Sequence, residues 1–160
     1  MEYTKVNLNK IIYSKNNILY NNGKLSIILP PMKTINGIEK RGETEKYQIM
    51  LEIDNPHFLN FIKEIEKKNK SHCKTDSKYK SNLFQNNETG VYYLILKIPC
   101  RYNKFEIHIR SDRVYLPIST DVKNNTVACR INITNIWNYT TDTELEMSGS
   151  IFEVKEIFIY

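Results

Sequence analysis

The chain has 160 residues, of which 41% are hydrophobic and 26% are charged. This composition is typical of a globular protein and excludes a disordered one. A chain of this length is expected to form a single domain over residues 1–160, with a core that needs no metal or disulfide. The net charge of +5 and the pI of about 9.0 favour polyanionic partners, with solubility alone as the other explanation.

The first half of the chain begins irregularly. Residues 5–20 alternate polar and apolar side chains without a clean period, and residues 21–23 (Asn-Asn-Gly) predict a tight turn. Residues 25–29 predict a short strand that ends at Pro30 and Pro31. The charged, glycine-containing stretch over residues 34–46 predicts an exposed loop or the end of a hairpin.

A clear strand and helix follow. Four apolar residues at alternate positions predict a strand over residues 47–53. Asn55 and Pro56 then predict a helix start, as N-cap and first helical residue. Apolar residues at helical spacing between Phe58 and Ile65 extend this helix, and lysines crowd its C-terminal end, where cations suit the helix dipole.

The second half is rich in β-structure. Residues 70–87 are rich in Lys, Ser and Asn and predict a basic loop. After Gly90 the pattern predicts strands over residues 91–98, 105–110, 114–118, 127–137 and 151–160. One main helix between two β blocks indicates a mostly-β fold, namely an OB-like barrel of five strands, slightly elaborated.

The cysteines and the N-terminus bear on location. Cys73, Cys100 and Cys129 are odd in number and widely spaced, so they predict reduced thiols and no zinc site. Cys129 alternates with apolar residues and is expected in the core. The first residues lack a signal-peptide pattern, and no window approaches the roughly 20 apolar residues of a membrane helix. We therefore expect an intracellular protein with no membrane partner.

Catalytic motifs are weak. His57, His72 and His108 stand apart, and the nucleophile, zinc-protease and phosphate-loop motifs are missing. Glu144 and Glu146 belong to an acidic cluster that would suit a metal-dependent nuclease, but a solvated acidic surface explains it better. The sequence therefore predicts a binding protein without enzymatic activity, cofactor or metal.

Basic and aromatic residues interleave on the predicted strands, as in proteins that bind single strands. Alternation turns Tyr93 and Lys97 outward, while odd positions in the strand before Trp137 point inward, so Trp137 could be a core residue or a stacking platform. The candidate nucleic-acid-binding residues are Tyr93, Lys97, Arg101, Tyr102, Lys104, Arg110, Arg130 and Trp137.

The strand over residues 91–98, the strand over 127–133 leading to Ile136-Trp137, and Gly149 before residues 151–157 carry a resemblance. Their order resembles that of the OB-fold single-stranded DNA-binding proteins of large cytoplasmic DNA viruses and phages. The resemblance implies sequence-independent coating of single-stranded DNA in replication or repair, with RNA as another candidate polymer and a homo-oligomer or cooperative assembly on the strand. If the protein is viral, it would act in the cytoplasm or nucleus of an infected cell.

A different class of function stays open. Exposed tyrosines and an acidic C-terminal edge also suit a protein-interaction or virion structural β module that pairs through strand edges and binds no nucleic acid.

Overall fold

The computed structural model describes residues 1–160 and contains one α-helix, α1 (Pro56–Ser71), and two 3₁₀ turns at Tyr3–Lys5 and Leu8–Lys10. The strands, in chain order, are β1 (Ile11–Ser14), β2 (Asn17–Tyr20), β3 (Gly23–Ile28), β4 (Met32–Lys33), β5 (Ile38–Lys40), β6 (Tyr47–Ile53), β7 (Lys78–Lys80), β8 (Leu83–Gln85), β9 (Tyr92–Ile98), β10 (Cys100–Arg101), β11 (Lys104–Phe105), β12 (His108–Ser111), β13 (Val114–Leu116), β14 (Thr126–Thr140) and β15 (Glu146–Ile159).

Five strands close a barrel. β14 pairs with β4, β4 with β6, β6 with β9, β9 with β15, and β15 returns to β14. Only the β9–β15 pair is parallel, whereas the other four pairs are antiparallel. With β3–β4 counted as the first barrel strand, the order around the barrel is first, second, third, fifth, fourth. This Greek-key closure is an OB-like barrel, so the predicted mostly-β fold is confirmed.

Additional strands elaborate the barrel. The β1–β2 hairpin extends the sheet beside β3, and the β12–β13 hairpin extends it beside the C-terminal half of β15. β5 lies on the edge of β6, and β10–β11 form a separate two-stranded hairpin. The irregular stretch over residues 5–20 thus contains a hairpin whose strands each have only 4 residues, too short for a clear periodic signal.

The barrel interior holds one cluster of 27 buried hydrophobic residues. β6 shows how the strands contribute to it: Ile49 and Leu51 are fully buried, while Gln48, Met50 and Glu52 on the opposite face are partly exposed. This period of two is the reason that the strand and its register could be predicted. Cys129 is also fully buried, which confirms it as a core residue.

Helix α1 begins where the sequence predicts. The Asn55 side chain accepts hydrogen bonds from the backbone N–H groups of His57 (2.9 Å) and Phe58 (3.2 Å), as an N-cap should. The apolar face of the helix buries Phe58, Ile62 and Ile65 completely. At about 1.5–3 kcal/mol for each large apolar side chain removed from water, this face fixes the helix to the barrel.

The prediction of a basic loop over residues 70–87 needs correction. This segment contains the end of α1 and the two strands β7 and β8. β7 runs parallel to β15 and β8 runs antiparallel to β9. Residues 78–85, here called the β7–β8 insert, therefore double back between β9 and β15. Those two barrel strands meet directly at a single position, Lys97 opposite Glu153.

Hydrogen bonds to polar partners hold the insert in place, together with Leu83, which packs against the core. The buried carboxylate of Glu66 accepts from the Asn82 backbone N–H (2.6 Å) and from the Ser81 hydroxyl (2.5 Å). The Asn82 side-chain amide donates to the Ser150 carbonyl at 3.1 Å, and the Asn82 carbonyl accepts from the Ile95 N–H at 2.8 Å. The segment looks like a loop in sequence because its order depends on these polar partners.

A β-bulge in β14 gives Trp137 an orientation opposite to the one expected from the sequence. The register of β14 against β15 shifts between Ile133 and Ile136, so both of these residues face the core. An extra residue on one strand reverses the alternation beyond it. Trp137 and Tyr139 consequently turn to the outer face, and the inward orientation expected from odd-position alternation is wrong.

Candidate nucleic-acid interface

The outer face of the barrel carries an aromatic pair on β8 and β9. Tyr93 is opposite Phe84 across the strand pair, and their ring centroids are 6.4 Å apart. Phe84 is 49% exposed, which is high for a phenylalanine ring, whereas Tyr93 is half-buried. Tyr93 faces outward as the sequence predicts, since its neighbour Leu94 lies in the core.

A second aromatic group lies on β14. Trp137 is opposite Gly149 of β15, and Tyr139, which is 59% exposed, is opposite Met147. The other edge of β15 pairs with β7, where Lys80 is opposite Gly149. Cross-strand partners share a face, so the indole of Trp137 and the ammonium of Lys80 belong to the same outer surface.

An open cleft of about 400 Å³ adjoins this surface at the loop between β5 and β6. Its lining is entirely polar: Arg41, Gly42, Thr44, Lys46 and Gln48. The Thr44 hydroxyl donates to the Arg41 carbonyl (2.6 Å) and accepts from the Lys46 N–H (3.2 Å). Gly42 takes a positive φ of 58°, which allows the chain to turn tightly here.

Two cations, Arg41 and Lys46, line this cleft, and a third, Lys80, lies close enough to be affected by their charges. Partial burial lowers the pKa of Lys80, and the positive charges of Arg41 and Lys46 lower it further. None of these three side chains forms an ion pair with a carboxylate. We call Arg41, Lys46 and Lys80 the basic cluster. A bound anion would relieve the mutual repulsion of its members, so the cluster is suited to hold a phosphate.

The predicted residue Lys97 is near this surface but is not free. Its Nζ lies 3.7 Å from Oε2 of Glu153, whose other oxygen accepts a hydrogen bond from Lys155 at 2.6 Å. Lys97 also sits opposite Gln48 in the β6–β9 ladder, which places it close to the cleft.

Arg110 and Arg130 form a separate group around one carboxylate. Their Nε atoms lie 3.1 Å and 3.4 Å from the two oxygens of Glu156, respectively. The Arg110 guanidinium also stacks over the Phe158 ring at 4.6 Å. Sequence alternation places these arginines on the outer face, but it cannot reveal the acidic partner that they share.

The remaining predicted residues lie on the β10–β11 hairpin, which is a sheet of its own. Tyr102 is 90% exposed at its tip, and the Nε of Arg101 is 3.7 Å from Glu106. Lys104 is exposed on β11. The eight predicted residues are therefore divided among the Tyr93–Lys97 face, the Glu156 group, this hairpin and Trp137.

Sequence reasoning missed Arg41, Lys46 and Phe84 as site residues, whereas Lys80 belongs to the segment that it predicted as a basic loop. Lys78, Tyr79 and Lys80 do alternate, with Tyr79 turned inward to within 3.2 Å of the Ser150 hydroxyl. That short period of two was a usable signal for a strand. Arg41 and Lys46 gave no such signal, because a hairpin loop brings them together.

The acidic residues offer no comparable site. No group of three or more His, Cys, Asp or Glu side chains could hold a metal ion. The Glu146 carboxylate is engaged by Lys74, and Glu144 lies in the turn between β14 and β15 with a positive φ of 62°. Helix α1 lacks the length and the apolar character needed to cross a membrane.

No protein-family model and no curated protein matches this chain. Solved structures do, among them two of bacteriophage proteins. The single-stranded DNA-binding protein gp2.5 of bacteriophage T7 superposes with a TM-score of 0.57 at 9% identity, covering 86% of each chain. The C-terminally truncated single-stranded DNA-binding protein of bacteriophage Enc34 gives 0.54 at 13% identity, covering 94% of this chain and 95% of that chain. The resemblance stated from the sequence is thereby confirmed at the level of the fold.

Proposed function

We propose that this protein binds single-stranded DNA without sequence preference and without catalysing a reaction. The observation that carries the proposal is the basic cluster of Arg41, Lys46 and Lys80, which has no acidic partner and lies on the outer face that also carries the exposed ring of Phe84 and the partly exposed ring of Trp137. Proteins that bind single strands combine these two elements, a cationic track for the backbone and aromatic platforms for the bases.

Each element supplies a different part of the binding energy. The basic cluster neutralises backbone phosphates, and the release of their counterions makes binding depend on salt. Stacking on an aromatic ring contributes about 1–3 kcal/mol per base and tolerates any base. In OB-folds the face of the second and third barrel strands binds oligonucleotides, together with the loop between the first and second strands and the loop between the fourth and fifth. Here those strands are β6 and β9, and the first of those loops holds Arg41 and Lys46.

The two phage proteins of similar fold are named for binding single-stranded DNA, which supports the same ligand for this chain. We extend the proposal to a role in replication or repair, in which exposed single strands need to be covered. RNA is the competing polymer, since it offers the same phosphates and bases.

The test is a fluorescence-anisotropy titration of labelled oligo-dT, duplex DNA and single-stranded RNA at two salt concentrations. We expect preference for oligo-dT over duplex, with affinity that falls steeply as salt increases. Lys80→Ala should weaken binding, while Lys67→Ala on the exposed face of α1 should not. Absence of binding to every polymer would overturn the proposal, and tighter binding to the RNA would reassign the ligand.

One observation favours the second candidate, a protein-interaction module. The hairpin strand β13 ends the sheet, and its residues Val114 and Tyr115 are 61% and 63% exposed. An uncovered strand edge of this kind can pair with another chain. A stable, salt-insensitive oligomer in light scattering, together with no affinity for nucleic acid, would favour this candidate over DNA binding.

A further inference from the structure

Glu156 holds two arginines in an unusual way. Arg110 and Arg130 approach its two carboxylate oxygens from different strands, β12 and β14, and both use Nε for their close contact. The Nε of Arg130 donates a hydrogen bond to Glu156, whereas the buried Nε of Arg110 forms the ion pair at 3.1 Å without an aligned hydrogen bond. The Nη groups of both arginines form no hydrogen bond with the protein. A guanidinium has five donors arranged as a fork, so each arginine keeps its outer pair of nitrogens for a ligand.

The three side chains are held in place by contacts with one another, but both arginines stay accessible to solvent. The Glu156 side chain is 12% exposed, whereas the Arg110 and Arg130 side chains are 33% and 35% exposed. Arg110 is further restrained between the rings of Phe158 (4.6 Å) and Tyr115 (5.8 Å). Because the carboxylate is the deepest member, the guanidinium groups lie nearer to solvent than the charge that orients them.

The group also lies along the path that single-stranded DNA would follow if it ran along β15. Glu156 and Gly149 both belong to β15, whose outer face carries Trp137 and Lys80 at one end. Lys97, Glu153 and Lys155 lie between them on the same strand or its neighbour. His108 is exposed opposite Glu156. A polymer that runs along β15 from the basic cluster therefore reaches the arginine pair.

We propose that Glu156 is a positioning residue that holds Arg110 and Arg130 as a two-arginine clamp for a second backbone phosphate. This inference rests on the proposed single-strand binding and extends it to a second contact site. The group keeps a net charge of one positive unit, and its bidentate nitrogens suit the oxygens of a phosphate.

Glu156→Gln gives a sharp test, because a simple charge effect and a positioning role predict opposite changes in the affinity for single-stranded DNA. Removal of a negative charge from a surface that binds a polyanion should by simple electrostatics tighten binding. If Glu156 positions the arginines, the variant instead binds labelled oligo-dT roughly tenfold more weakly, about the loss of one charge-assisted hydrogen bond. The slope of log affinity against log salt should also decrease by about 0.7 for each phosphate that the variant no longer binds.

Glu64→Gln is the matched control, since it removes one negative charge from the exposed side of α1. Its binding should equal or slightly exceed that of the unaltered protein. Thermal melting of both variants, run before the titrations, confirms that they are folded at the assay temperature. Binding by Glu156→Gln that equals or exceeds that of Glu64→Gln would overturn the clamp and leave single-strand binding intact.

A second variant keeps the clamp testable if Glu156→Gln does not fold. Arg110→Lys with Arg130→Lys conserves every charge but removes the Nε contacts and the forked donors. We expect it to bind oligo-dT roughly tenfold more weakly than the unaltered protein does, whereas a simple charge effect would leave its affinity unchanged. Failure of the unaltered protein to bind oligo-dT is a separate result that overturns the proposed function itself.

Discussion

Trp137 lies directly over the backbone of Gly149. A Cβ atom added at Gly149 would come within 2.6 Å of Cζ2 and 2.9 Å of Nε1 of the indole, closer than real contacts allow. The Trp137 ring therefore packs directly against the backbone of Gly149. Because a β-bulge turns Trp137 outward, the absence of a side chain at Gly149 determines how far the ring projects from the proposed binding face.

Gly149→Ala should displace the Trp137 ring and weaken oligo-dT binding as much as Trp137→Ala does. Loss of one stacking platform corresponds to about 1–3 kcal/mol, which is roughly five- to 150-fold in Kd. Trp137 is the only tryptophan, so its emission spectrum reports the displacement directly. Gly23→Ala is the matched control, because a Cβ there has only an ordinary contact of 3.9 Å with Tyr20. Unchanged emission in Gly149→Ala would contradict the contact.

Neutralising the basic cluster should change the salt dependence more than any other surface substitution. Each phosphate contact to a single strand contributes about 0.7 to the slope of log affinity against log salt. The triple substitution of Arg41, Lys46 and Lys80 by Ala is therefore expected to lower that slope by about 0.7 where the cluster holds one phosphate, and by about 2 where each cation contacts a phosphate of its own. Titrations at several salt concentrations measure it. A slope equal to that of Lys67→Ala would show that the cluster does not contact the backbone.

The strands and helix with strong periodicity could be predicted from sequence. Residues 47–53 alternate cleanly and match β6, and Asn55 with Pro56 locate the start of α1. These signals are local, because burial of one face and satisfaction of a helix end each leave a mark on neighbouring residues. The β7–β8 insert left only a three-residue alternation at Lys78–Lys80, since Glu66 and Ser150, which fix it, are distant in sequence.

The candidate site was less predictable than the fold. Tyr93 could be placed on the outer face by alternation, but Trp137 could not, because the bulge before it reverses the pattern. The charges of Arg110 and Arg130 are evident in the sequence, whereas Glu156 becomes their partner only through pairing across three strands. The pairing of distant strands decides which residues share one surface, and this pairing cannot be read from a short stretch of sequence.

Lowering the pH should stabilise the protein through Glu66. Burial raises the pKa of this carboxyl above its ordinary value of 4.5, even though hydrogen bonds from Ser81 and Asn82 act in the opposite direction. The folded protein therefore takes up this proton at a higher pH than the unfolded chain. The resulting stability is fully present below the ordinary pKa and is lost as pH rises through the folded pKa.

We therefore compare the free energy of unfolding of the unaltered protein with that of Glu66→Gln. The first minus the second should increase as pH falls from 7 towards 4.5. Urea denaturation at several pH values measures it. Glu64→Gln, which alters an exposed side chain of the same helix, is measured alongside as the control variant. A decrease towards low pH would mean that the Glu66 carboxylate stabilises the fold in its charged form.

Cys129 should not react with thiol reagents while the protein is folded. Complete burial raises the pKa of its thiol to about 12, so almost no thiolate exists near pH 8. Cys73 and Cys100 are partly exposed. A colorimetric thiol assay should therefore count at most two reactive cysteines in the native protein and a third after denaturation. Cys129→Ser should leave the native count unchanged, and a lower count would place a reactive thiol at this position.

The β7–β8 insert separates two tasks along a few residues. Its inward atoms, at Tyr79, Ser81 and Asn82, complete the barrel wall through hydrogen bonds. Its outward side chains, Lys80 and Phe84, are exposed and contribute nothing to the buried core. Exchange of these outward residues would alter the proposed binding face while the barrel wall stays closed. The proposed binding face can therefore be changed by substitution independently of folding stability.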